Sequence, residues 1–298
     1  MLVNSESLRG MYRSFRAISL DALGAAKPQW SKVAMEVPST NKGNDYGWLG
    51  KLPRVREWIG DRVIQNLAAH GFTILNKDWE LTIGVSRNDV EDDNLGVYNP
   101  LFQSMGNEMA MHPDELVFGL LAAGFTSLCY DGQYFFDSDH EVNGQSVSNV
   151  TDLVLSATSY GAARTAMQSL TDEHGKSLRI TPNLLVVPPQ LEDKGKEILL
   201  KERLANGEDN IYYKSAELLA APELAAYPTY WFLLDTTKPI KPLIFQQRQK
   251  PNFVAKDNPE DDNVFMKKEF LYGIDARHNA GYGLWQLAYG STGTNTGS

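Results

Sequence analysis

Ten charged side chains fall into clusters whose types and spacing could hold two protein surfaces together. Lys51, Arg54, Arg56 and Arg62 crowd into one short stretch. Glu91-Asp92-Asp93 and Glu260-Asp261-Asp262 each open the same string, Glu-Asp-Asp-Asn. Such loops are by default solvated turns, and one exposed ion pair contributes about 1 kcal/mol or less. A basic stretch meeting acidic loops on a neighbouring copy would instead act as a set, steering encounter and fixing register. These ten residues are therefore the candidate inter-subunit contacts.

Other chemistry finds little support. The five histidines, His70, His112, His140, His174 and His278, are scattered, and none has the short helical spacing of a zinc motif. Cys129 is the single cysteine, flanked by Leu128 and Tyr130, which suits a small core residue better than a nucleophile. Asp137, Asp139 and Glu141 alternate as in a calcium loop, but Val142 replaces the sixth-position glycine and Ser148 the twelfth-position glutamate. A phosphate loop ending at Lys51 would need glycine where Asp45 stands, and Leu52 follows the lysine. Gly281-Tyr282-Gly283 lacks the third glycine of a dinucleotide fingerprint, and no glycine-flanked serine elbow occurs. No catalytic, metal or cofactor site is expected. The competing reading is an α+β enzyme whose carboxylates gather only in space.

The elements that would carry these residues follow from periodicity. Arg9, Arg13 and Arg16 beside Leu8, Tyr12 and Phe15 allow a short amphipathic helix, too small to make a core alone. From Phe72 the pattern alternates, with Trp79, Leu81, Ile83 and Val85 apolar, as in a half-wet strand. With the preceding segment and a turn at His70-Gly71 it reads as a long hairpin. Phe102, Met105 and Met109 predict a helix, and Pro113 either kinks it or opens a second one. Strands are expected over Phe125–Tyr130, Leu184–Val187, Tyr230–Leu234, Ile244–Gln249 and Phe265–Arg277. Helices are expected over Val154–Leu170 and Leu191–Leu204. Gly290–Ser298, rich in serine, threonine and glycine, reads as a flexible tail.

Composition sets the frame. In 298 residues, 28 basic against 37 acidic side chains leave a formal net charge of −9, which argues against general nucleic-acid binding. One cysteine excludes an internal disulfide, so a reducing cytoplasm is expected. No signal peptide or membrane span is read from the sequence.

The block Leu52-Pro53-Arg54-Val55-Arg56-Glu57-Trp58-Ile59-Gly60-Asp61-Arg62 and the stretch Asn76-Lys77-Asp78-Trp79-Glu80 resemble the major head subunit of Mu-like phages and prophages. So do Asn183-Leu184-Leu185-Val186-Val187-Pro188-Pro189 and Tyr272-Gly273-Ile274-Asp275-Ala276-Arg277. The likeness runs from about Trp30 to Tyr289. It implies an α+β, HK97-like major capsid fold: an N-terminal arm over 1–45, an E-loop hairpin over 46–95, a peripheral domain with a spine helix over 96–176 and 241–298, and an axial domain over 177–240. The function it implies is structural, self-assembly as hexamers and pentamers into an icosahedral shell around double-stranded phage DNA. The partners implied are further copies of the chain, a separate scaffolding protein, a portal and a decoration protein. The DNA would be held without sequence-specific contact, no membrane would be involved, and assembly would take place in the bacterial cytoplasm.

Overall fold

The computed structural model describes residues 5–47, 49, 71–172, 175–204 and 207–296. The chain opens with helix α1, Ser5–Ala25, on which Leu8, Met11, Phe15 and Ser19 form one buried face. At 21 residues it runs for nearly six turns, because that face has a partner within the same chain. A short helix α2, Trp30–Val33, leads into strand β1, Ala34–Pro38, and β2, Gly43–Asp45. Strand β3, Thr73–Leu75, pairs antiparallel with β2. The alternating stretch then forms β4, Lys77–Ser86, and Ser86 caps helix α3, Arg87–Glu91, by accepting a bond from the Asn88 N–H.

Helix α4, Asn99–Ala123, is one uninterrupted helix with Pro113 inside it. It packs on α1 so closely that a Cβ on Gly106 would lie 2.0 Å from the Ser19 carbonyl oxygen. Phe15 stacks on Phe102 at the same crossing, ring centroids 4.0 Å apart. The segment expected as a strand over Phe125–Tyr130 is instead a series of turns, with a single bridge between Leu128 and Tyr134. Its backbone groups turn inward to each other, as where the Cys129 N–H donates to the Gln133 carbonyl.

A hairpin of β5, His140–Val142, and β6, Gln145–Val147, precedes β7, Val150–Leu153. Helix α5, Ala157–Gln168, starts at a capping box formed by Ser156 and Ser159. Then come β8, Leu184–Val187, buried at every position; α6, Glu192–Leu199; β9, Glu217–Ala220; and β10, Trp231–Leu234. The C-terminal third holds β11, Leu243–Lys256; helix α7, Asp262–Lys267; β12, Glu269–Tyr282; and β13, Ala288–Asn295. The strand expected to begin at Phe265 thus starts at Glu269, after one helical turn and Lys268 in the left-handed region at φ 56.

Two larger sheets result. One has the order β1-β11-β12-β4, the other β7-β13-β10-β8-β9. The expectation of a flexible tail from Gly290 is corrected here, because β13 lies inside the second sheet between β7 and β10. The small residues that resemble a linker are what the packing needs: a Cβ on Gly290 would meet the Phe136 ring at 2.8 Å. Two hydrophobic cores follow. Leu8, Phe15, Phe102, Phe253 and Tyr272 gather under the first sheet's outer end. Leu184–Val187, Trp231–Leu234, Val117 and Phe118 belong to the second core. Helix α4 contributes to both.

Candidate inter-subunit interface

The described residues that flank the segment expected to carry the basic cluster lie side by side. The Tyr46 N–H donates to the Phe72 carbonyl at 2.8 Å, next to the β2–β3 pair. A buried polar network fixes this root. The Gln246 amide on β11 donates to the Ile74 carbonyl (3.0 Å) and to Asn76 Oδ1 (2.8 Å), while its oxygen accepts from the Tyr46 hydroxyl (2.8 Å). Asn76 in turn donates to Ser39 Oγ and to the Asn41 carbonyl. Buried polar groups are stable only when so paired, and a fully paired set specifies one arrangement. Lys51, Arg54, Arg56 and Arg62 themselves lie outside the described residues.

The structure brings the two acidic strings to one end of the first sheet. Ser86 at the end of β4 pairs with Glu269 at the start of β12, and the Arg87 N–H donates to the Lys268 carbonyl at 2.8 Å. Glu91, Asp92 and Asp93 follow the one strand end, and Glu260, Asp261 and Asp262 precede the other. Glu91, Asp92, Asp93, Glu260 and Asp262 are exposed, with Glu91 bonded to Arg87 Nε at 2.9 Å. Asp261 is half-buried and accepts from the Asn258 N–H. Between them α7 holds Phe265 and Met266 in solvent, 84 % and 75 % exposed. This end of the sheet therefore carries exposed carboxylates and two exposed apolar side chains.

Sequence comparison places this architecture. The profile described as "Mu-like prophage major head subunit gpT" matches residues 8–154, 151–224 and 225–297, nearly the whole chain. The chain belongs to this family. It is 37 % identical over 296 residues to the major capsid protein of Escherichia phage Mu, a match spanning 99 % of this chain and 77 % of that protein. In three dimensions it is similar to a subunit of the bacteriophage JBD30 procapsid, with a TM-score of 0.64 and 36 % identity over 97 % of this chain and 76 % of that one. A subunit of the JBD30 capsid decorated with minor capsid protein trimers gives a TM-score of 0.58 and 37 % identity over 68 % of this chain and 93 % of that one. The α+β fold is therefore that of phage capsid proteins, and the work of a gpT-family chain is structural, as a component of the capsid shell. The relatives are shell proteins rather than enzymes, and the carboxylate-enzyme reading finds no support among them.

Within the gpT fold, the acids and histidines that matter for packing were not separable from the rest by spacing. Asp114 is buried beside Pro113, and its carboxylate accepts from the Gln29 and Trp30 N–H groups at 2.7–2.9 Å, tying α2 to α4. Burial raises its pKa, only partly offset by those two donors. His112 on α4 meets His278 on β12, Nδ1 to Nε2 at 2.9 Å, although 166 residues separate them. Trp79 lies against His112, centroids 4.2 Å apart. Burial, and secondarily His112, push the pKa of His278 down to about 4. Asp137 behaves as a turn residue: its carboxylate accepts from the Tyr134 and Ser138 N–H groups, the solvated-turn alternative to a calcium loop. A groove of about 900 Å³ is lined on one side by α5, at Ala157, Thr158, Gly161, Ala162 and Thr165, and on the other by Leu204 and residues 208–212, among them Glu208 and Asp209.

Proposed function

We propose that copies of this chain assemble as hexamers and pentamers into an icosahedral shell that encloses double-stranded phage DNA. In this reading 1–45 is an arm, 46–95 an extended hairpin lying across the neighbouring copy, 96–176 and 241–298 a peripheral unit around α4, and 177–240 an axial unit. The observation that carries it is the root at Tyr46 and Phe72, where a hydrogen bond closes the base of the segment whose sequence holds the four basic side chains. Lys51, Arg54, Arg56 and Arg62 would meet the acidic end of the next subunit's first sheet, at Glu91–Asp93 and Glu260–Asp262. Such a contact is shared by every copy and closes a ring when the rotation between copies closes.

A net charge of −9 suits a wall facing packaged DNA, because few phosphate counterions would be released by contact and the genome stays free to move. Assembly in the host cytoplasm beside a separate scaffolding protein and a portal completes the proposal. A decoration protein on the outside follows the example of the decorated JBD30 capsid. Among the described residues no helix is long and apolar enough to cross a membrane. The test is co-expression of the chain with the scaffolding protein of the same phage, followed by negative-stain electron microscopy. Rings or closed shells of uniform diameter are expected. A chain that stays monomeric with scaffold present would overturn the reading.

A further inference from the structure

We propose that Cys129, Asp131 and His140 bind a zinc ion that clamps the turn after α4 to the β5–β6 hairpin. One ligand atom from each of the three lies within 4.8 Å of the other two. Asp131 is the centre: Oδ1 is 3.0 Å from Cys129 Sγ, and Oδ2 is 2.7 Å from His140 Nδ1. In a tetrahedral zinc site, bonds of about 2.0–2.3 Å set neighbouring ligand atoms about 3.5 Å apart. Opening those two contacts by less than an ångström would admit the ion.

The surroundings are those of a built site. Cys129 and His140 are buried, and the His140 ring is stacked on Trp285, centroids 3.9 Å apart and planes within 6°. That stack fixes the direction of Nδ1. The ring's other nitrogen, Nε2, is buried with no hydrogen-bond partner, so the whole polar attachment of this imidazole runs through the cluster. The Gln133 N–H donates to Asp131 Oδ1 at 3.1 Å and orients the carboxylate, as outer-shell donors do around metal ligands. The Tyr134 carbonyl oxygen stands 4.0 Å from Sγ, where it accepts from the thiol.

Charge and ligand type select the ion. Among the described residues neither lysine nor arginine pairs with Asp131. A divalent cation would neutralise one thiolate and one carboxylate together, and the set of thiolate, imidazole and carboxylate is a zinc set. The ion would take the place of the thiol proton, which is released to solvent, and the imidazole would bind as the neutral tautomer with its one proton on Nε2. It would join three separate pieces of chain: the turn at Cys129–Asp131, the start of β5, and, through the ring stack, Trp285 just before β13.

The chain's single cysteine makes the test clean. Purified full-length protein is stripped with a chelator and titrated with Zn²⁺ and, separately, Co²⁺. Expected are a molar ratio of about one and, with Co²⁺, a thiolate-to-metal charge-transfer band with tetrahedral visible absorption. Cys129→Ser should abolish the band. Asp131→Asn, close in shape, should keep the near-ultraviolet circular dichroism of the native fold while weakening Zn²⁺ binding at least about tenfold. Zn²⁺ should also raise the midpoint of thermal unfolding of the unsubstituted chain, and a chelator should reverse the rise, a readout that needs no variant to fold. A ratio well below one, an unchanged cobalt spectrum in Cys129→Ser, or an unmoved unfolding midpoint would each overturn the proposal.

Discussion

His278 is a titratable side chain held in a dry place, with one ring nitrogen bonded to His112 and the other, Nδ1, buried without a partner. The pair can share one proton in a neutral hydrogen bond, but charging both rings would set two cations against each other across a 2.9 Å contact between α4 and β12. The other charged groups facing it are Glu115, whose carboxylate opposes the downward shift of His112, Lys77 across the strand pair, and the neighbouring Asp78–Arg277 contact at 3.3 Å. Because the folded-state pKa of His278 is depressed to about 4 from 6.5, its contribution to stability is fully present above about pH 6.5. It is lost as the pH falls from there through about 4. The full loss is worth about 3 kcal/mol at 1.36 kcal/mol per unit. Urea unfolding of the purified chain at pH 7 and pH 4.5 should show this component, and His278→Gln should flatten it; an identical pH slope in the variant would exclude the pair as its source. Neither this contact nor the Gln246 network was legible in the sequence, because both are made by residues that only the sheet register brings together. What was legible was local: the acidic strings, the proline inside α4, the cysteine's preference for the interior.

Elements were readable where a period ran long enough to name a face. Leu184–Val187 and the alternating stretch ending at Ser86 are examples. The first helix was underread. Its apolar spacing was visible, but its 21-residue length depends on α4, whose Gly106 lets the two backbones meet at Ser19. Residues expected as an arm lying on something else therefore supply part of this chain's own core, through Leu8, Met11 and Phe15. Gly106→Ala should force the helices apart and cost about 2–3 kcal/mol. Phe15→Ala, which leaves the backbone contact alone, should cost about 3–5 kcal/mol through the cavity it opens beside Phe102. Thermal unfolding of both variants checks this; a neutral Gly106→Ala would mean the close crossing is not needed. Strand β13 was misread for the opposite reason. Glycine, serine and threonine usually mark linkers, yet here Gly290 is small because the Phe136 ring lies against it.

For the molecule as a whole, the family likeness carried more than any motif, since order and spacing of many short strings survive where a catalytic signature does not exist. The charge clusters make their prediction at this scale. Arg54→Glu with Arg56→Glu should leave the subunit folded, as read by circular dichroism, while shell yield in electron microscopy falls sharply. Adding Asp92→Lys and Asp93→Lys should restore part of that yield, because the reversed pairs again attract. Normal shells from the first double variant would dismiss the charge pairing. High salt should weaken assembly in the same direction, since surface charges are screened beyond about 8 Å at physiological ionic strength.

Helix α4 enters one core through Phe102, Met105 and Met109 and the other through Val117, Phe118 and Leu121. Pro113 sits between the two sets and removes one N–H from the helical ladder, so the carbonyl of Met109 lacks its usual donor. Mechanically the helix is a strut held in two cores, with one rung of its ladder missing between them. In the shell proposed above, that missing rung is where bending the helix would break the fewest hydrogen bonds.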